Sequence, residues 1–538
     1  MLFALLEGDR NASPGALNTA GGFFLRQNDA VRAEAAYRRA SEAAPDLLEY
    51  AVNRAIALSR LERHSDVEAI LAPFEDKAAG DVRYWSARGN AARSRGLLDD
   101  AARFYDRALA LQPVHPRASL GRARVALERA EDDAVARFDA ALAGDQGNAE
   151  LWLGKAYALD AAGESEAARK LAEALVQQAP NWTQGLKLLA ELRLAAGEDD
   201  FASHYEEAAR RVPADPNIPA QHIEVLAGLD RAGEAADIAG RARGQFPQED
   251  HFILTEAINA SAAGREAWAQ ELWDALDKRA PERKLHHARH LLRKGDYHYA
   301  ESELAAVIEA DPHSIGAWAL RDLAWRALGD VRHDWLHAQD GLVALMPLEA
   351  DDGVFERARE LLERLHDRSA MPLGQSLRGG TQTRGLLFAR LEPELRALRG
   401  AIMRTVERYR QQLPPRDAIH PLLGQRDAQW AMEGSWSVRL EGGGDFHTGH
   451  IHPQGLLSSA LYMALPDVGG AAGGRLELGR PPRDLGMDME PMRIVEPVEG
   501  HMALFPSTLY HGTEPFGAGR RMSVAFDIVA RHDVPAHG

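Results

Sequence analysis

Four histidines and one arginine carry the strongest chemical signal in the chain. DFHTGHIHP holds His447, His450 and His452, and LFPSTLYHGTEPF supplies His511. Read as a strand, DFHTGHIHP alternates its side chains, so His450 and His452 share one face and His447 takes the other. Two imidazoles on an inward face are costly to bury unless something uses their nitrogens. Beyond His511 come Arg521 and Ser523 in GRRMSVAFD. A single histidine on an apolar strand is usually structural, which is the expectation for His447 and His501. Other chemistries lack support. The chain has no cysteine, which excludes thiolate ligands and cysteine nucleophiles. It has no Gly-x-Ser-x-Gly elbow, no Gly-x-Gly-x-x-Gly after a strand and no His-Glu-x-x-His.

The elements that must hold these residues are short strands. From Trp430 onward the pattern reads SWSVRL, FHTGHIH, LLSSALYMAL, GRLELG, MRIVEP, HMALFP, STLYHG and RMSVAFDIV, broken by glycine or proline. Short strands separated by turns suggest a two-sheet sandwich or barrel. Ahead of them, FERARELLERLHDR reads as a helix. A second, from Glu392 to Gln412, carries Leu395, Leu398, Ile402, Val406 and Tyr409 on one stripe. The loop MPLGQSLRGGTQT lacks the Gly-Lys-Ser/Thr ending of a phosphate-binding loop. Asp527 is expected to cap or buttress the last strand.

His-x-His, a distant histidine and then Arg-x-Ser resemble the motif of the Fe(II)/2-oxoglutarate-dependent oxygenases. QSLRGGTQT, SWSVRL, HIHPQGLLSSALYMALP and LFPSTLYHGTEPF further resemble a bacterial group of such oxygenases, some of whose members carry tetratricopeptide repeats upstream. The resemblance implies a double-stranded β-helix, or jelly roll, that holds iron through three protein groups. The remaining metal positions are left for a 2-oxo acid and dioxygen. His450 and His511 match the family's two metal-binding histidines, and His452 is the candidate for the third metal position. Arg521 and Ser523 would hold the distal carboxylate of 2-oxoglutarate, with Tyr462 and Arg439 as further co-substrate contacts. Gln375, Arg378, Gln382 and Trp436 are candidates for substrate contact, and Arg378 and Arg439 could equally be structural ion-pair members. One departure matters: the common motif has a carboxylate two residues after its first histidine, where this chain has His452. Either iron takes three imidazoles, or His452 stands aside and water fills the position. Aspartyl/asparaginyl β-hydroxylases are similar in managing without that carboxylate.

The first two-thirds of the chain is periodic. Pro45, Pro113, Pro180, Pro213, Pro247, Pro281, Pro312 and Pro347 recur at about 34 residues or twice that. Degenerate repeats close near Ala79 and Gln146. A turn glycine keeps phase at Gly96, Gly163, Gly197, Gly233, Gly264, Gly295 and Gly329. In GLLDDAARFYDRALALQP, Ala101, Tyr105 and Ala108 stand at helical spacing, with small residues where helices must approach. This pattern resembles the tetratricopeptide repeat and implies roughly ten helical hairpins stacked into a superhelix. The expected organisation is therefore an all-α superhelix over 1–350, followed over 351–538 by an α+β domain built on the jelly roll. Trp85, Trp152, Trp182, Trp268, Trp273, Trp318, Trp325 and Trp335 are expected to pack between helices, some of them lining the concave groove. A barrel cut near Gly353 is expected to keep the iron ligands and Arg521.

Of the 538 residues, 45% are hydrophobic and 27% charged, as in a folded globular chain. No apolar run is long enough for a membrane span. The N-terminal apolar run is short and lacks a basic flank, so no signal peptide is expected and a cytoplasmic location is the default. A net charge of −17 argues against nucleic acid. The partner expected is a peptide or protein in the repeat groove, without membrane, and a homo-oligomer is compatible with this reading. Two functions compete: an oxygenase acting on a peptide side chain or small metabolite, and a scaffold whose degenerate barrel only binds a ligand.

Overall fold

A computed structural model of the chain describes residues 12–277, 281–369, 376–466 and 474–531. The chain divides into two compact units, Met1–Ala168 with Ala389–Leu391, and Arg169–Phe388 with Glu392–Gly538. Between Pro14 and Leu328 the described residues form nineteen α-helices arranged as successive hairpins.

In the first unit the local chemistry of each hairpin is explicit. Ser13, Asp29, Asp81 and Asn148 cap their helices by accepting from backbone N–H groups that have no helical partner. Ala101, Tyr105 and Ala108 are all buried, as their spacing predicted. Tyr105 sits where neighbouring helices approach closely: a Cβ at Gly89 would meet its ring at 2.7 Å, and one at Gly121 at 2.2 Å. Trp85 Nε1 donates to the Ala79 carbonyl at 3.2 Å, and Trp152 Nε1 to that of Gln146 at 2.9 Å. These are the closing positions of the two degenerate repeats, so an indole N–H stitches the start of one repeat to the end of the last. In the second unit Trp318 and Pro312 repeat the bond at 2.9 Å.

The turn glycines at 96, 163, 197, 264, 295 and 329 adopt positive φ, as a tight helix–helix turn requires. Gly233 differs: it lies inside helix Ala232–Gln245, and Asp230 takes the left-handed position with φ 60°. Asn28, Glu62 and Ala130 do the same in repeats without a turn glycine. Pro347 differs too. The tenth first helix, Ile315–Leu328, is followed only by the π-turn Asp334–Ala338, and Pro347 ends a strand rather than a helix.

Among its described residues the second unit continues into eleven strands: β1 Ala344–Pro347, β2 Leu377–Arg378, β3 Thr381–Gln382, β4 Gln429–Gly442, β5 Phe446–His447, β6 Leu457–Ala464, β7 Leu476–Leu478, β8 Arg493–Val495, β9 His501–Pro506, β10 His511–Thr513 and β11 Ala518–Arg531. They form a six-stranded sheet in the order β1-β9-β6-β11-β4-β3, a three-stranded sheet β10-β7-β8 and the pair β2-β5. All eight expected strands are represented, with two corrections. FHTGHIH keeps only Phe446–His447 in a strand, and STLYHG is a turn until His511. Glycine at 449 and the proline at 453 interrupt the ladder that alternation would need.

The large sheet has two distinct faces. Met522, Val524, Phe526 and Ile528 point to one, where they pack with the stripe Leu395, Leu398, Ile402, Val406 and Tyr409 of helix Pro393–Gln412 and with helix Val354–His366. Ala460, Tyr462, Ala503 and Phe505 point to the other, against Leu476 and Leu478 of the small sheet. Because β1 pairs with β9 from Ala344 to Pro347, a barrel cut at Gly353 would lose an edge strand. The candidate iron ligands, Arg521 and the other described strands all follow the cut.

A left-handed alanine is strained by about 1–2 kcal/mol, and glycine relieves this. Ala130→Gly should therefore stabilise the first unit by about 1 kcal/mol, and Gly163→Ala, with φ 86° and open space around its Cβ, should destabilise it similarly. Urea melting of the full chain checks both, and shifts of the same sign would refute the turn assignment.

Candidate metal centre

His511 opens β10, and its backbone exchanges both N–H···O bonds with His450, at 2.9 and 3.0 Å. This single antiparallel bridge sets the two side chains together, with ring centroids 4.3 Å apart. The His452 ring lies 4.9 Å from that of His511 and 5.1 Å from that of His450. One nitrogen from each of the three falls within 4.8 Å of the others. The sequence expectation that these histidines converge holds as geometry, although a bridge and a turn bring them together rather than one continuous strand.

Each ring is held by the same nitrogen. His450 Nδ1 lies 2.8 Å from the Thr448 carbonyl, and His511 Nδ1 lies 3.1 Å from that of Leu509. His452 Nδ1 meets the Asp527 carboxylate in a short contact. Against such acceptors Nδ1 is the donor, so Nε2 is the nitrogen each ring has left to offer a metal. Burial, followed by the neighbouring His452, pushes His450 down to about 3, and burial likewise carries His511 well below the usual histidine range. Neutral imidazoles with fixed tautomers are the form that binds a divalent ion.

Asp527 therefore does more than buttress a strand. Its contact with His452 sets that ring's tautomer and places a negative charge one imidazole away from the lone pairs. Trp436 packs on the same ring, centroids 5.3 Å apart, and Ser458 Oγ lies 3.4 Å from Nδ1. Alternation puts Asp527 on the inner face of β11 with Arg521 and Ser523, but only the pairing of Ile528 with Leu457 brings the turn that carries His452 beside it.

Arg521 lies on the inner face of β11 and is 1% exposed. Its Nε and Nη2 have no hydrogen-bond partner among the described residues, and neither does the Tyr462 hydroxyl. The guanidinium stands 5.3 Å from the Tyr462 ring. Ser523 is buried on the same face, opposite Val438 and Tyr462. Among the described residues no carboxylate faces this guanidinium, and a buried cation without a counter-charge is costly by several kcal/mol.

Several expectations change. His447 does not take the opposite face. Its ring stacks on His450 at 5.9 Å, its Nδ1 lies 3.2 Å from Ser376 Oγ, and the nearby Arg521 charge adds to the burial that holds it neutral. Arg439 is not a co-substrate contact: its register partner is Met522, on the helix-facing side of the sheet. There it pairs with Glu363, Asp367 and Glu441 at 3.3, 3.0 and 2.7 Å. Arg378 pairs with Asp230 of the second unit's repeats. Gln382 sits on edge strand β3 against Val438. Gln375 lies outside the described residues. His501 is part-buried on β9, its Nδ1 against the Glu499 carbonyl.

Comparison with known proteins agrees with the motif. Residues 434–527 match the family model described as "Putative 2OG-Fe(II) oxygenase", and residues 128–192 match a tetratricopeptide repeat model. No curated protein matches. Among solved structures, a tetratricopeptide repeat protein from Parabacteroides merdae is 15% identical, with 45% of this chain and 97% of that one covered at a TM-score of 0.36. PilF of Pseudomonas aeruginosa is 17% identical, with 40% and 96% covered at 0.33. YrrB, described as a TPR protein with an unusual peptide-binding site, is 14% identical, with 35% and 97% covered at 0.29. The chain thus joins a tetratricopeptide-repeat region to a domain of the 2OG-Fe(II) oxygenase family over residues 434–527.

Proposed function

We propose that the protein is an Fe(II)/2-oxoglutarate-dependent dioxygenase that hydroxylates a peptide or protein side chain recruited by its repeats. The observation that carries this reading is the buried guanidinium of Arg521, whose Nε and Nη2 have no partner among the described residues and whose charge acts on His447, the ring stacked on His450. A metal alone leaves that cation unexplained. A dicarboxylate that chelates the metal and reaches Arg521 satisfies both. Bound iron would supply the site at which dioxygen is reduced with 2-oxoglutarate as co-reductant, one oxygen atom entering the C–H bond as C–OH and the other the succinate formed as carbon dioxide leaves.

The chain's own residues position and exclude. His450, His452 and His511 present the lone pairs, and Asp527 orients His452 and adds charge. Arg521 anchors the distal carboxylate with Tyr462 and Ser523 beside it, and Phe505 shields His511 with ring centroids 4.8 Å apart. The missing carboxylate ligand is offset by Asp527 acting through His452, which favours the three-imidazole form over water at that position. Repeats stacked over 1–350 offer the extended surface on which a peptide gains binding energy, ahead of a jelly-roll domain over 351–538. No described helix is long and apolar enough to cross a membrane.

Fe(II)-dependent conversion of 2-oxoglutarate to succinate by the full chain is the primary test, and its absence under anaerobically reconstituted conditions would favour the scaffold reading. Arg521→Ala should weaken 2-oxoglutarate binding about a hundredfold and leave metal binding nearly intact. Unchanged co-substrate affinity would move the carboxylate elsewhere. His452→Ala should lose iron and His452→Asp should retain part of it, whereas wild-type affinity in the alanine variant would select the two-histidine site. Asp527→Asn should weaken metal binding by about ten- to a hundredfold; metal titration followed calorimetrically decides it.

A further inference from the structure

The repeats of the second unit reach the metal centre through its neighbours in sequence. Ile451, between His450 and His452, packs in one apolar cluster with Leu285, Trp318 and Trp325 of helices Pro281–Lys294 and Ile315–Leu328. Tyr510, the residue before His511, is 4% exposed in the same cluster. Its hydroxyl accepts from Arg289 Nη1 at 3.1 Å. The other arm of Arg289 donates to Asp484 at 2.7 Å, and Arg293 grips the same carboxylate at 2.5 Å and the Asp484 carbonyl at 2.6 Å. Asp484 belongs to the turn Arg483–Leu485, which follows Pro482. Pro482 in turn lies so close that a Cβ on Gly449, the residue before His450, would meet its Cα at 3.3 Å.

Two routes thus leave one guanidinium. One runs through Tyr510 to His511, and the other through Asp484 and Pro482 to Gly449 and His450. We infer that Arg289 and Tyr510 are positioning residues for the three-histidine centre, so the terminal repeats form part of the metal site rather than only a platform for substrate. His450 sits at one isolated bridge, His452 in the turn after it and His511 at the start of three-residue β10, too little ladder to hold three lone pairs on one point unaided. The helix supplies the missing rigidity from outside. An anchor limited to general stability would not be routed to the residues beside two ligands from a single side chain.

This inference rests on the trio being a metal centre, and the test separates the two. Co(II) is titrated into the full chain, into Arg289→Met, Arg289→Lys and Tyr510→Phe, and its visible absorption and thermal melting are followed. The parent should bind one Co(II). Arg289→Met should bind about tenfold more weakly with an altered absorption band, Tyr510→Phe should shift in the same direction, and Arg289→Lys should recover part of the affinity. Folded variants with lower melting temperatures but the parent's affinity and band would overturn the inference while leaving the metal centre standing. Should Arg289→Met fail to fold, Tyr510→Phe, which deletes only a hydroxyl, decides alone: a parental affinity and band overturn the proposal. A parent that binds no Co(II) overturns the metal centre and the inference together.

Discussion

Three imidazoles can aim their lone pairs at one point only if each commits its other nitrogen elsewhere. Here the commitments are the Thr448 carbonyl, the Leu509 carbonyl and the Asp527 carboxylate. Two are backbone groups beside the histidines themselves, so the turn conformation of 448–452 and the approach to β10 are already dictated by ligand orientation. The third comes from the last strand, which ties the position of β11 to the tautomer of His452. Without these three bonds the rings could rotate, and a convergent set of residues would not be a convergent set of donors.

The same strand carries the second demand. β11 lies between β6 and β4 at the centre of the large sheet, and alternation sorts its side chains between two environments. Met522, Val524 and Phe526 go to the helices and form an apolar core. Arg521 and Ser523 go to the inner face with Tyr462. Among the described residues the guanidinium has Tyr462 beside it and no carboxylate, and a buried cation of this kind calls for an anion. The proposed co-substrate would meet that demand and the histidines' together.

The repeats and the strands of the second unit are not independent. Trp318 and Trp325, which belong to the repeat by sequence, share a cluster with Ile451 and Tyr510, which belong to the site. Arg326 donates to the Glu490 carbonyl at 2.8 Å, and His337 lies 2.9 Å from Thr508 Oγ1. A ligand loop too short to hold itself is thereby fixed by a scaffold whose own rigidity comes from stacked hairpins.

Much of this was legible in the amino-acid sequence. The helical period, turn glycines and closing positions at Ala79, Gln146 and Pro312 are local properties, set by propensity and by which residues tolerate a left-handed turn. The convergence of His450, His452 and His511 was legible as candidate chemistry, because such side chains at such spacing are costly to bury without a use. Four features were not. His447 joined the cluster because the chain leaves its strand at that residue, which breaks the parity that alternation assumes. Asp527 reached His452 because Ile528 pairs with Leu457, which sets the His452 turn beside the inner face of β11, and Arg439 went to the opposite face because its partner is Met522 and not Arg521. Tyr510 and Arg289 are far apart in the chain, and their meeting depends on how a helix docks on a turn. Side-chain type and local period are written in the residues themselves. Register, tautomer and the pairing of distant charges are settled only when the whole chain competes for the same interior space.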